Sequence, residues 1–249
     1  MISILLDAKR CKKWPEPLVT ANANTMTRTK KFARSYYRDW SNMRLHKGKS
    51  FLAPPRLFKA EFAQYFPNFH GQTLLNDKKM RDTTPVLEDK ISIVSVYNTD
   101  WALRQANTFV SEKNNPELHK IVGSSSEAQM VQINIEENPL KHGLIKLFMP
   151  NLRRKIIEEN WGRYFVVKNN IPEDSRDAIG YLNSKVGYTY LLDGKCRIRW
   201  AGSGPAEGDE KQGLVAGVKR LLEEAKTKKT EKLTQPPVPN LRKSTASKV

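Results

Sequence analysis

The clearest alternation of apolar and polar positions lies between residues 187 and 206, Gly-Tyr-Thr-Tyr-Leu-Leu-Asp-Gly-Lys-Cys-Arg-Ile-Arg-Trp-Ala-Gly-Ser-Gly-Pro-Ala. Two apolar, aromatic and β-branched runs flank Asp193-Gly194, the dipeptide that a tight type I′ turn favours because both central residues take positive φ. The pattern predicts a β-hairpin whose second strand runs into a glycine loop and then a helix over about Glu207 to Ala225. A two-residue loop would set Leu192 opposite Lys195, Tyr190 opposite Arg197 and Tyr188 opposite Arg199 on one face. Leu191 with Cys196, Thr189 with Ile198 and Gly187 with Trp200 would share the other. One face is then apolar and the other is tyrosine and arginine.

Upstream, Ile91 to Tyr97 is an apolar, β-rich run suited to a central strand, and Trp101 to Glu112 places Leu103, Ala106, Phe109 and Val110 at helical spacing. Met130 to Glu136 alternates as a strand. Leu144 to Trp161 carries an apolar stripe that Pro150 is expected to divide into two helices. Arg163 to Lys168 reads as a strand and Asp174 to Asn183 as a short helix before the hairpin. Strands alternating with helices, closed by a hairpin and a terminal helix, predict an α/β sandwich of thioredoxin-like type: a central, mostly parallel sheet with an antiparallel C-terminal hairpin.

Charge divides the chain into three parts. Residues 1–60 carry a net +11, residues 61–225 balance to zero, and residues 226–249 carry +6. These become a basic leader and linker (1–60), one folded domain (61–225) and a disordered basic tail (226–249) whose lysine, threonine and proline cannot build a core. A fold that binds nucleic acid is expected to carry its basic patch on the folded module, so no specific nucleic-acid partner is expected. From Met26, the segment through Trp40 has one acidic residue among many basic and hydroxyl ones. Phe32, Tyr36, Trp40 and Met43 lie on one helical face, with Lys31, Arg34 and Arg38 opposite. That is the composition of a mitochondrial transit peptide. Residues 1–25 fit it less well, with Asp7, Glu16 and two prolines. No stretch approaches the 18 or so apolar residues of a membrane span, so any membrane contact is expected to be peripheral.

Catalytic chemistry is expected to be absent. Thiol chemistry on this fold needs a low-pKa cysteine at the N-terminus of the helix after the first central strand. That position reads Asn98-Thr99-Asp100-Trp101, and Val186-Gly187 stands where a proline normally faces the thiol. Cys196 falls on the apolar face of the hairpin as a small buried hydrophobe, and Cys11 lies in the leader, so neither a disulfide framework nor a metal cluster is expected. Gly202-Ser203-Gly204 has no third glycine for a dinucleotide fingerprint and follows an antiparallel strand, which makes it a helix-entry turn. His46, His70, His119 and His142 are scattered, and Glu136-Glu137 and Glu158-Glu159 read as solvated charge. No catalytic, cofactor or metal residues are assigned.

Residues 62 to 225 resemble the mitochondrial ATPase assembly factor ten family within the peroxiredoxin-like branch of the fold. The resemblance rests on Phe66-Pro67 with Gly71, Val131-Gln132-Ile133-Asn134, Trp161 before Tyr164-Phe165, and Gly180 with Asn183. It rests above all on Gly187-Tyr188 through Leu191, Cys196-Arg197-Ile198-Arg199-Trp200-Ala201-Gly202-Ser203-Gly204, and Ala206. It implies an assembly factor or chaperone for the membrane sector of mitochondrial ATP synthase, with no enzyme activity and no cofactor. Such a protein would bind newly made subunit a, promote its association with the c-ring, and be held peripherally on the matrix side of the inner membrane. The expected partner-binding residues are Tyr188, Tyr190, Arg197, Arg199, Trp200, Gly202, Ser203 and Gly204, since aromatic and arginine side chains dominate interfaces and glycines permit close backbone approach. The opposing use of the same face is structural, with a helix covering it and acidic neighbours satisfying the arginines. The rival functions are a thiol-dependent redox protein of the peroxiredoxin-like group using Cys196 and a mitochondrial RNA-binding protein using the basic ends.

Overall fold

The structure, a computed structural model, describes residues 48–136, 149–168 and 172–234. The amphipathic stripe at 32–43, the tail beyond 234 and the first part of the 144–161 stripe lie outside the described residues. In chain order the elements are β1 (His70–Thr73), β2 (Met80–Asp82), α1 (Thr84–Leu87), β3 (Ile91–Tyr97), α2 (Asp100–Val110), α3 (Pro116–Gly123), β4 (Ala128–Glu136), a helix over 149–155 (α4), a 3-10 turn (Glu158–Arg163), β5 (Tyr164–Lys168), α5 (Glu173–Ala178), β6 (Tyr188–Leu192), β7 (Ile198–Ser203) and α6 (Glu210–Thr234).

The strands form one sheet in the order β2-β1-β5-β4-β3-β6-β7. The middle three, β5, β4 and β3, run parallel, and antiparallel strands extend the sheet on both sides. This is the thioredoxin-like sandwich that the order of elements predicts. Every residue of β3 is buried, as a central strand covered on both faces requires. On one face α2, α3 and α6 pack Phe109, Leu118, Leu214 and Val218 onto Ile91, Ile93, Leu191 and Trp200. On the other, Val94, Val96, Val131, Ile133 and Ile135 meet Phe66, Phe69, Ile179 and Tyr181. Two helices start as their capping residues dictate: Thr99 Oγ1 accepts from Ala102 N at the head of α2, and Asn115 Oδ1 from Leu118 N at α3. Gly187, just before β6, lets α2 pack close, since a Cβ there would lie 2.1 Å from the Ala102 carbonyl oxygen.

Strands β1 and β2, which the sequence pattern does not predict, carry His70, Gln72, Arg81 and Asp82 and give no apolar run to find. Two expectations need correction. The folded unit begins earlier than residue 61: residues 48–60, assigned above to leader and linker, lie against β7 and α6. At the other end α6 continues to Thr234, well past Ala225, so its last turns belong to the helix and not to a disordered tail.

Candidate functional site

The hairpin forms, but with a different loop. Gly194 does not take positive φ; Cys196 does, at +58°. Asp193 O accepts from Cys196 N at 2.9 Å, and Asp193 N donates to Arg197 O at 3.1 Å. The connection is therefore a turn over 193–196 whose last residue, Cys196, is left-handed, the usual three-residue hairpin loop. Its cause is the Asp193 carboxylate, whose Oδ1 accepts from both Lys195 N and Arg197 N and so folds the backbone around itself. A further irregularity follows between Leu191 and Leu192, and the register moves along: Tyr188 faces Ser203, Tyr190 faces Ala201 and Leu191 faces Trp200.

This places seven of the eight expected partner residues inside the molecule and leaves Arg197 half-buried. Tyr188, Tyr190 and Trp200 are fully buried and Arg199 is 4% exposed. Tyr188 stacks on Tyr190 at 6.3 Å and meets Tyr181 at 5.0 Å, so neither tyrosine pairs across the hairpin with an arginine. The Tyr188 hydroxyl accepts from Asn183 N and bonds Ser50 Oγ, both at 2.9 Å. The Tyr190 hydroxyl is buried with no hydrogen-bond partner among the described residues, and burial, reinforced by Tyr188 and Tyr181, pushes its ionisation well above the usual phenol range. Replacing Tyr190 with phenylalanine is therefore expected to leave the melting temperature unchanged or raise it, because an unsatisfied buried hydroxyl costs about 1–3 kcal/mol. Tyr188→Phe, which removes the hydroxyl that accepts from Asn183 N and bonds Ser50 Oγ, should lower it; thermal melts of the two variants read the contrast.

What these residues hold is the chain's own segment 48–66, a strap laid along the free edge of β7. Phe58 N donates to Arg199 O at 2.7 Å and Arg199 Nε returns to Phe58 O at 2.8 Å, while Ile198 N reaches Gln64 O and Phe66 N reaches Cys196 O. Arg197 clips Ala60 O, and Trp200 Nε1 donates to Pro54 O at 2.9 Å. Ser203 Oγ accepts from Ser50 N and Phe51 N and donates to Phe51 O. Gly204, at φ +65°, sits against the Lys49 backbone, where an added Cβ would lie 3.2 Å from the Lys49 Cα. The close backbone approach expected of these glycines is thus made, by the chain itself. An edge strand that would otherwise offer open N–H and C=O groups is covered.

The strap is locked by a buried ion pair that the sequence did not reveal. Lys49 Nζ donates to Glu210 Oε2 at 2.8 Å and to the carbonyls of Ser203 and Pro205, and both side chains are over nine-tenths buried. Glu210 also accepts from Ala53 N and reaches back to Glu207 N at the start of α6. The arginines of β7 have a second acidic hub. Asp193 Oδ2 lies 2.7 Å from Arg197 Nη2 and 3.6 Å from Arg199 Nη1, and Arg199 also grips both carboxylate oxygens of Glu224. Burial works against ionisation of Asp193, but the Arg197 guanidinium and the two loop N–H groups outweigh it and hold the carboxyl below its ordinary range.

At the head of α2, where this fold can activate a thiol, Thr99 spends its hydroxyl on capping. Cys196 lies at the other end of the sheet, because Leu192 pairs with Ser92 near the start of β3, on the order of 20 Å away by strand geometry. Burial, followed by the nearby Glu88, Asp193 and Asp89 carboxylates, pushes its thiol up to about 11 from 9.0. That environment opposes the thiolate. The folded chain keeps the Cys196 proton where the unfolded chain has released it, so its stability is expected to fall as pH rises from about 9 to about 11. Comparing melts of the wild type and Cys196→Ser across that window isolates the effect. Iodoacetamide should label the native thiol only slowly.

Among the described residues no group of three or more His, Cys, Asp or Glu stands together as a metal site, and no helix is long and apolar enough to cross a membrane. His70 pairs with Asp82 and His119 with the Val110 carbonyl; His46 and His142 lie outside the described residues.

Comparison with known proteins places this geometry in a family. The family model described as ATP10 protein matches residues 12–221. The Candida glabrata protein named "Mitochondrial ATPase complex subunit ATP10" is 30% identical over 196 residues, 78% of this chain and 70% of that protein. The Schizosaccharomyces pombe protein named "Probable mitochondrial ATPase complex subunit atp10" is 28% identical over 189 residues, 76% of this chain and 66% of that protein, so the matched part spans about two thirds of its length. Among solved structures, a secreted thiol-disulfide isomerase from Corynebacterium glutamicum covers 70% of this chain and 93% of its own, at 10% identity and a TM-score of 0.45.

Proposed function

This chain belongs to the ATP10 protein family, and from that membership we propose that it is an assembly factor of the mitochondrial ATPase complex, working as a binding scaffold without catalysis. The match across residues 12–221 carries the reading. At the finer level, the protein binds newly made subunit a of the membrane sector, keeps that apolar chain from aggregating until the c-ring arrives, and works from the matrix face of the inner membrane as a peripheral protein. The absence of a spanning helix among the described residues is compatible with peripheral attachment. The non-catalytic part of the reading is supported by Thr99, which occupies the activating position as a cap, and by the remote, proton-retaining Cys196.

The test is affinity capture of the full chain from detergent-solubilised mitochondria, with identification of the bound subunits. Subunit a is expected to co-purify, and Cys196→Ser is expected to capture it equally well. Recovery of no ATPase subunit would overturn the proposal, and loss of capture in a normally abundant Cys196→Ser variant would overturn its non-catalytic part.

A further inference from the structure

The register of the sheet sets polar residues side by side where parallel strands buried on both faces ordinarily carry aliphatics. Ser95 on β3 pairs with Gln132 on β4, and Gln132 with Tyr164 on β5. The row continues through Thr189 on β6, which pairs with Ser95. The row on one side of it holds Ile93 and Met130, and the row on the other holds Tyr97 and Asn134. Ser95 is 3% exposed, yet its hydroxyl has no hydrogen-bond partner among the described residues. Gln132 accepts from the Tyr97 hydroxyl at 3.0 Å through Oε1, and its amide N–H donors are unused among those residues.

Ser95, Gln132 and Tyr164 floor a cavity of about 200 Å³ that opens between the C-terminal end of α2 and the 3-10 turn, with Asn107 on one wall and Asn160 and Arg163 on the other. No aspartate or glutamate lines it. Arg163 bonds only Asn160 Oδ1, at 3.3 Å, and has no ion pair among the described residues. The Ser95 hydroxyl and the half-buried Gln132 amide thus keep donor capacity that a molecule in the cavity can use.

We propose that this cavity is a binding site for a small molecule carrying an oxyanion, a carboxylate or phosphate of a few heavy atoms, with Arg163 meeting its charge and Gln132, Ser95 and Asn107 donating to its oxygens. Guanidinium and amide groups lining a space without carboxylates select for that chemistry. The site is independent of the scaffold role proposed above, and it shares no residue with the strap or the hairpin.

The experiment titrates the full chain with inorganic phosphate and, separately, with succinate, following melting temperature and the amide signals of Ser95, Gln132 and Arg163. One of the two probes is expected to give a saturable rise in melting temperature and saturable shifts at those amides, and which one does so tells phosphate from carboxylate. Arg163→Gln should weaken that probe about tenfold or more, with Arg163→Lys recovering part, because a bidentate charged pair is lost and a point charge restores only some of it. Ser95→Val should melt at or above the wild type without probe and still bind more weakly, a signature that a purely structural serine would not give. No saturable response to either probe, or a response that Arg163→Gln retains in full, would overturn the proposal.

Discussion

Deleting residues 48–60 from the full chain is expected to abolish cooperative unfolding. The deletion removes Lys49 from beside the buried Glu210, leaves the Arg199 guanidinium without the Phe58 carbonyl and Trp200 Nε1 without that of Pro54, and strips Phe51, Leu57 and Phe58 from the core. Each loss leaves a desolvated polar group or an uncovered apolar face, and the losses share one edge of the sheet, so they reinforce one another. The variant should lose its near-UV circular dichroism, keep its far-UV signal and bind a hydrophobic dye, the behaviour of a chain that retains secondary structure without fixed packing. Lys49→Met tests the same element with one change. Leaving Glu210 buried without its cation costs about 3–5 kcal/mol, a fall in melting temperature of roughly 10 °C at this size. A deletion variant that melts sharply near the wild-type temperature would show the strap to be dispensable.

The second large effect is expected at Asp193. Alanine there removes both loop hydrogen bonds and the carboxylate between buried Arg199 and half-buried Arg197, so a loss of about 3–5 kcal/mol is expected, again as for a broken buried ion pair. Asp193→Asn keeps an acceptor for the loop amides and should lose less. The pH dependence follows from the depressed ionisation of the carboxyl. Its contribution is present above about 3.9, where the unfolded chain ionises, and is lost as pH falls through the lower folded value. Melting curves should therefore separate wild type from Asp193→Asn at neutral pH and converge in acid. If the gap between them is unchanged down to pH values well below the unfolded range, the ionised carboxylate is not what holds the loop.

The contrast between what could and could not be read in the chain turns on sequence distance. Strand β3, helix α2 and the parallel centre were legible because their periodicity is local and long. The hairpin was legible as a hairpin. Its register was not, because Asp193-Gly194 supports two loops, and the choice fell to the Asp193 side chain capturing the amides of Lys195 and Arg197. From that change of loop comes the fate of the expected partner face. Shifted register takes Tyr188 and Tyr190 away from the arginines, and the strap then covers Arg197 and Arg199. Nothing local marks Lys49 as different from the other lysines of a basic leader, so the strap was assigned to the linker by charge alone. The cavity had a faint signal, since Gln132 and Asn134 interrupt the apolar run from Met130 to Ile135. Its meaning depends on Ser95 and Tyr164, which only the sheet register sets beside Gln132.

Lys49 and Glu210 are 161 residues apart in the chain. A ribosome delivers the strap first and its lock last. At about 5–20 residues per second, roughly 10–30 s pass between the two. Throughout that interval the sheet can assemble from β1 to β5, yet its first-made segment has nothing to hold. Closure is therefore a late event: a product truncated anywhere before α6 lacks Glu210, and so leaves Lys49 without its carboxylate and Ala53 N without its acceptor.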